Sequence, residues 1–526
     1  MYWGEARFSL FFIFDFYRRL PVLLFLQMKR LLILLSFLLS SLTVLPAEEL
    51  SPACTEAYNN ILMLRFKKAE TLLHTERNPA SAPILAYLYN YISFLQLMID
   101  EDEARFKQLA ASKYQVYRAL EAGNSESPWT LYTQAMTDMQ WAALRLKFGG
   151  YTTAAIEINR AYRLLSANRK RFPDFLPNQT AEGIMQVLVG SVPENYRWVT
   201  RLLDMQGTVS DGMSTIQDVL ESPGLSQRFP YLQTESLFLF TFISFNLGGE
   251  QTEGFEYVKN LLSLPIYKDL SGESPLLAYA AAVFQMHAGN NDEALAALSR
   301  SPSGPEYYPF HYMNYLNGLV RIQKLDAGAS VWFLRYVNHY KGNSFIKSAY
   351  QRLAWIELLN GNLNGYRQSM LKAKVRGNAL IDGDRLALNE AESGDMPSAC
   401  LLKARLLFDG GYYPQVSQVL SGCNVQMLPS EKERLELYYR KARNEHQLGH
   451  IESAVLLYTN VIDEGSRQPW YYAANASLQL GLIYEMRGDK VKAETCFRRC
   501  LSLQYGEYRT GITQKARAGL SRLGAK

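Results

Sequence analysis

Six histidines and five cysteines are the side chains of this 526-residue chain best suited to metal or nucleophilic chemistry. The histidines are His74, His287, His311, His339, His446 and His450. Only His446 and His450 lie close in sequence, and they flank Gly449, a turn glycine. A zinc site needs ligands that converge on one point, so these two are expected to be solvent-exposed turn residues. No Cys-x2-Cys pair, Gly-Lys-Ser/Thr phosphate loop or Gly-x-Ser-x-Gly elbow occurs. The run Asp100-Glu101-Asp102-Glu103 gathers four carboxylates without the spaced oxygens and glycine of a calcium loop. Its place between two apolar stretches fits a helix end followed by an N-cap. Chemistry-bearing residues therefore predict no enzyme, no metal and no cofactor.

The cysteines are Cys54, Cys400, Cys423, Cys496 and Cys500. An odd count and wide scatter argue against a disulfide-framework minidomain. Cys400 opens one predicted helix and Cys423 follows its partner. Those ends meet in an antiparallel hairpin, which makes Cys400–Cys423 a candidate disulfide. Cys496 and Cys500 stand four apart on one helix and read as small core residues. Cys54 follows Leu50-Ser51-Pro52-Ala53, with a serine where a lipoprotein signal wants an apolar residue, so lipidation is not expected.

The elements that would position these groups are clearest at residues 477–505. Small or apolar residues fall at Leu480, Gly481, Tyr484, Gly488, Ala493, Phe497 and Cys500. The spacing predicts a helix, a turn at Gly488, and a second helix that folds back on the first. It resembles the tetratricopeptide (TPR) pattern of Leu-Gly-x2-Tyr followed by Ala-x3-Phe. Ala442, Gly449, Ala454 and Tyr458 repeat it 39 residues earlier, and Ala404, Gly411, Val416 and Leu420 repeat it 38 before that. Fainter echoes are Ala354/Gly361/Met370, Gly318/Leu325/Leu334, Ala282/Gly289/Ala294/Leu298, Thr241/Gly248 and Ala142/Gly149/Ala154. One step, from Ala354 to Ala404, is 50 residues, against about 34 for an ideal repeat. Gly481 and Ala493 have almost no side chain, so two helix axes can approach closely. Tyr484 and Phe497 fill the space beside them. A hairpin cannot bury its apolar face alone and must stack on the next. The expected fold is all-α: an α-solenoid of TPR-like helical hairpins with a concave inner face. Amphipathic helices in an irregular bundle are the alternative.

Met28-Lys29-Arg30, an apolar run and Pro46-Ala47 read as a secretory signal peptide over 28–47. Residues 1–27 are then a probable over-extended gene start, with an uncleaved N-terminal membrane anchor as the competing reading. No apolar run of 18 or more follows residue 50, which predicts a soluble body with membrane contact only through the N-terminus. Residues 51–227 read as an N-terminal helical region, TPR-like, with a Pro-punctuated junction at 173–227; residues 228–526 read as the C-terminal solenoid. The chain is +5, of which residues 1–47 hold +3, so the remainder is close to neutral. A near-neutral body argues against nucleic acid.

The segment from Gly183 through Trp198 to Gly212-Met213 is similar to the eukaryotic inclusion-body-clearance family of TPR proteins. The acidic turn at Ile99–Ala104 is similar to bacterial cell-envelope TPR proteins. Tyrosine numbers 34, with pairs at 412–413, 438–439 and 471–472, and some of these are expected on the concave face. The resemblances imply a non-catalytic secreted or periplasmic scaffold that binds a protein or peptide partner. A surface glycan-binding protein of the TPR-containing nutrient-uptake type is the alternative.

Overall fold

A computed structural model describes residues 50–192, 197–247, 253–428 and 430–524. The stretches read as a gene start (1–27) and a signal peptide (28–47), and the turn expected at Gly248, lie outside those residues. Every regular element among the described residues is helical. Successive helices pack in pairs and the pairs stack, giving an all-α solenoid.

The hairpin Tyr472–Met486 and Lys490–Ser502 shows how sequence sets this geometry. A Cβ added at Gly481 would stand 2.5 Å from the Phe497 ring, so only glycine lets that ring lie flat on the first helix. Gly488 turns the chain at φ 76°, and the Asp489 side chain then accepts from the Lys492 amide at 3.1 Å. Six glycines in equivalent turns, Gly149, Gly289, Gly361, Gly411, Gly449 and Gly488, share φ between 70° and 82°, where a Cβ is penalised. The helix Arg509–Arg522 packs on this hairpin and brings Gly519 against the Phe497 ring as well.

Three features differ from the sequence pattern. Leu334 is 46% exposed, and fully buried Phe333 fills the place beside Gly318 instead. The Ala-x3-Phe pair Ala329/Phe333 follows Gly318 one residue sooner than Ala493/Phe497 follows Gly481, which shifts the phase of the helix Ala329–His339. The 50-residue step contains an additional helix, Asp382–Ser393, packed on both Ile346–Leu359 and Leu363–Val375. Its Asp384 is buried and accepts from the Phe345 and Ser348 amides at 2.6 and 2.8 Å, capping the neighbouring helix. The Pro-punctuated stretch holds a further hairpin. Leu176–Gly190 packs on Val209–Leu220, with Gly183 and Gly212 so close that a Cβ on either would overlap the other's carbonyl oxygen.

Contacts cross the boundary expected at 227/228. Pro230–Leu247 packs on the first helix, Pro52–Leu62. The non-helical segment 301–311 lies along the N-terminal helices, with the Tyr308 amide donating to Leu64 O at 2.7 Å. Ser274 Oγ donates to Leu62 O at 2.9 Å, and the Ser344 amide donates to Glu101 Oε2 at 3.1 Å. Glu101 takes φ 56° at the end of Ala82–Asp100, and Asp102 caps Glu103–Glu121 as expected of that acidic run. The helical stretch Pro79–Asp100 is long and apolar enough by composition to cross a membrane, although it has no uninterrupted apolar run. It packs against Pro52–Leu62 and Pro128–Lys147, and 56% of its apolar window is buried.

Cys400 and Cys423 are joined as a disulfide with Cα atoms 6.0 Å apart, tying the start of Ala399–Asp409 to the end of Tyr413–Ser421. Cys54, Cys496 and Cys500 are free thiols. Burial pushes the Cys500 thiol up to about 12, so it should resist alkylation in the folded chain. Closing a loop of this size contributes about 3 kcal/mol in the chain-entropy account. Non-reducing peptide mapping is expected to recover the Cys400 and Cys423 peptides linked, and reduction to lower stability by about 2–4 kcal/mol.

Candidate functional site

The first helices of the C-terminal hairpins wall a groove of about 720 Å³. They are Ile346–Leu359, Ala399–Asp409, Glu431–Gln447 and the start of Tyr472–Met486, joined by the additional Asp382–Ser393. The second helices, Leu363–Val375, Tyr413–Ser421, Ile451–Gly465 and Lys490–Ser502, contribute no lining residue. This follows from hairpin stacking, which turns one set of helices inward. The volume falls in the range of about 300–1,000 Å³ typical of ligand pockets.

Trp355 anchors the wall at 2% exposure. The Arg352 guanidinium lies 4.4 Å from its ring centroid and that of Arg405 5.1 Å. The indole Nε1 donates to Glu390 Oε1 at 2.8 Å, and Gln351 Nε2 donates to Glu390 Oε2 at 2.5 Å. Arg405 reaches the Tyr508 hydroxyl at 3.3 Å, while Asp409 stands 3.9 Å from its Nε. Deeper in, Arg440 Nε donates to Glu436 Oε1 at 2.7 Å and the Tyr472 hydroxyl donates to Glu436 Oε2 at 3.0 Å. Burial is the largest influence on the Glu436 carboxyl and works to raise it, but the Arg440 charge, the hydrogen bonds from Arg440 and Tyr472, and the Arg405 charge together hold the group below its ordinary value. The Tyr471 ring packs at 4.6 Å on Tyr472 and 4.8 Å on Tyr508.

The lining charges nearly balance. Arg352, Arg405, Lys432 and Arg440 face Glu390, Asp395, Glu433, Glu436 and Glu507. No histidine or cysteine lines the groove. The groups around Glu390 and Glu436 are fixed by one another, so this part of the wall presents preset donors and acceptors beside aromatic surface. Groups held in place this way lose little conformational freedom when they engage another molecule.

The residues singled out by the repeat pattern lie elsewhere, between the helices. Ala442, Ala454, Tyr458, Ala493 and Phe497 are fully buried, Leu480 and Gly481 are buried, and Tyr484 is half-buried under Lys492. Gly449 and Gly488 sit in exposed turns. None of them lines the groove. Among the described residues no group of acidic, histidine and cysteine side chains could hold a metal. His450 is exposed and meets Glu445 at 2.9 Å. His446 is not the exposed turn residue expected: it packs edge-on to Tyr458 at 5.9 Å, and burial lowers its pKa.

The groove residues Arg352, Trp355, Arg405, Glu436 and Arg440 went unread in the sequence. A register signal for them exists. Arg352 and Arg440 each stand two residues before the small residue of their repeat, Ala354 and Ala442, and Trp355 and Arg405 each stand one after. Comparisons of the chain with protein-family models and with curated proteins find no match.

Proposed function

We propose that this chain is a non-catalytic scaffold, built of hairpins of the tetratricopeptide type, that binds a protein segment in the C-terminal groove. The observation that carries this reading is the make-up of the groove wall: guanidinium, carboxylate and aromatic groups from the first helices, from Asp382–Ser393 and from adjoining loops, with none from the second helices. Such a wall can hydrogen-bond a peptide backbone and accept side chains of either charge. A secreted or cell-envelope location is part of the same reading, and the basic-then-apolar pattern of residues 28–47 supports it.

The glycan alternative needs open aromatic faces for sugar stacking. Arg352 and Arg405 cover Trp355, and the Tyr471 ring is occupied by Tyr439, Tyr472 and Tyr508. This favours a peptide over a sugar.

The test is affinity capture from envelope extracts with the wild-type chain and an Arg352→Ala/Tyr508→Ala double variant at the groove mouth. Tyr508 is 39% exposed, so the change should leave the fold intact. A captured protein is expected to bind the variant at least about tenfold more weakly, as removal of interface hot spots does. Binding on a glycan array that is lost in the variant, with no protein recovered, would reverse the assignment.

A further inference from the structure

We propose that Glu235 and the tyrosines around it form a proton-operated latch: the protonated carboxyl holds the helix Pro52–Leu62 against Pro230–Leu247, and ionisation loosens that seam. Glu235 is 1% exposed. Tyr91 donates to its Oε1 at 2.6 Å, and Tyr58 lies 3.1 Å from its Oε2. Tyr87 continues the chain, with its hydroxyl 2.8 Å from that of Tyr58. The Tyr58 ring stacks on Tyr231 at 4.4 Å, on the same helix as Glu235. Three segments far apart in sequence thus meet on one buried carboxyl: Pro52–Leu62, Ala82–Asp100 and Pro230–Leu247.

The hydrogen bonds can be satisfied in both protonation states. The ionised carboxylate accepts from Tyr58 and Tyr91, with Tyr87 donating to Tyr58. The protonated acid donates to Tyr58, which then donates to Tyr87. What differs is solvation. A buried carboxylate with no cation beside it is disfavoured against the neutral acid. The charged groups on the helices packed around Pro230–Leu247 engage or face elsewhere. Arg228 lies over the Phe229 ring, Lys259 pairs with Glu256, Glu182 pairs with Arg169, and Asp211 and Asp218 are exposed. On Pro275–His287, Tyr279 packs on Phe310 and His287 on Phe245. Tyr132, on Pro128–Lys147, adds a neutral ring beside Tyr87. Burial accordingly pushes the Glu235 carboxyl up to about 7 from 4.5, with the Tyr91 and Tyr58 hydrogen bonds working against it.

The sign follows from proton linkage. The folded chain holds this proton more tightly than the opened one. Opening is therefore easier as pH rises through the interval between the two values, and the effect saturates above the folded one. Hydrogen exchange over residues 52–62, corrected for the intrinsic pH dependence of exchange, reads the opening constant. It is expected to rise about tenfold per pH unit between about pH 5 and pH 7 and to level off above. Glu235→Gln should flatten that rise and keep the segment closed at pH 8. Groups that titrate elsewhere, such as His311 and Asp100 along the 301–311 segment, act equally in both proteins and cancel. Equal slopes in the two would overturn the latch. Tyr91→Phe is the second variant. It removes a donor to the ionised form, so levelling-off should move to higher pH, and an unmoved or lowered plateau would also overturn it.

Discussion

Replacing Phe497 with alanine is expected to cost about 3–5 kcal/mol, the range for truncating a buried aromatic that its surroundings cannot collapse onto. The ring is fully buried. Two glycines press on it from different helices, Gly481 from the first helix of its own hairpin and Gly519 from Arg509–Arg522. Ala474, Leu478, Ala493, Cys500, Tyr505, Ile512 and Ala516 complete the buried cluster. Most of these neighbours are already small, so there is little side chain to swing into the void. Urea unfolding followed by helical circular dichroism should show the loss. In a stacked array the damage stays near its origin. Hydrogen exchange should therefore rise first over residues 472–522 and much less over Ile346–Leu359. A loss below about 1 kcal/mol would mean that Arg509–Arg522 is not seated on Phe497 in solution.

The hairpin register was legible because it rests on local rules. A glycine where φ is positive and a small residue where two helices cross both leave a mark at fixed spacing. All six turn glycines of the described hairpins could be read this way. The groove was not legible, because its members come from helices 346–486 and are related by stacking, which sequence spacing does not encode. Asp382–Ser393 illustrates the difference. The 50-residue step was visible but no helix was read in it, and that its Glu390 would meet Trp355 depends on how the helix packs. Glu235 shows the same limit. In sequence it is one glutamate among aromatic residues; its character comes from Tyr58 and Tyr91, 177 and 144 positions away. The Gly183/Gly212 crossing lies between these cases. Prolines hid a hairpin whose close-packing glycines were in plain view.

Gly411→Ala should cost about 2–4 kcal/mol, while the formally identical Gly488→Ala should cost only about 1 kcal/mol. Both glycines turn between paired helices, at φ 79° and 76°. A Cβ at Gly488 meets nothing within 4 Å, so alanine there bears only the conformational penalty. A Cβ at Gly411 would overlap the carbonyl oxygen of Gly289, backbone that cannot rotate away. Around that contact the Tyr412 hydroxyl donates to Asp292 at 2.9 Å, and Lys324 Nζ reaches the same carboxylate at 2.8 Å. The two turns, more than a hundred residues apart, are thereby clasped together, and the clasp fixes how Ala399–Asp409 approaches Tyr312–Gln323. Alanine at 411 must either part the turns or shift the helix that carries Arg405 into the groove. Its excess cost over Gly488→Ala in paired denaturation measurements is the strength of that clasp. Equal costs would mean the turns do not touch in solution and that Arg405 is positioned by its own hairpin alone.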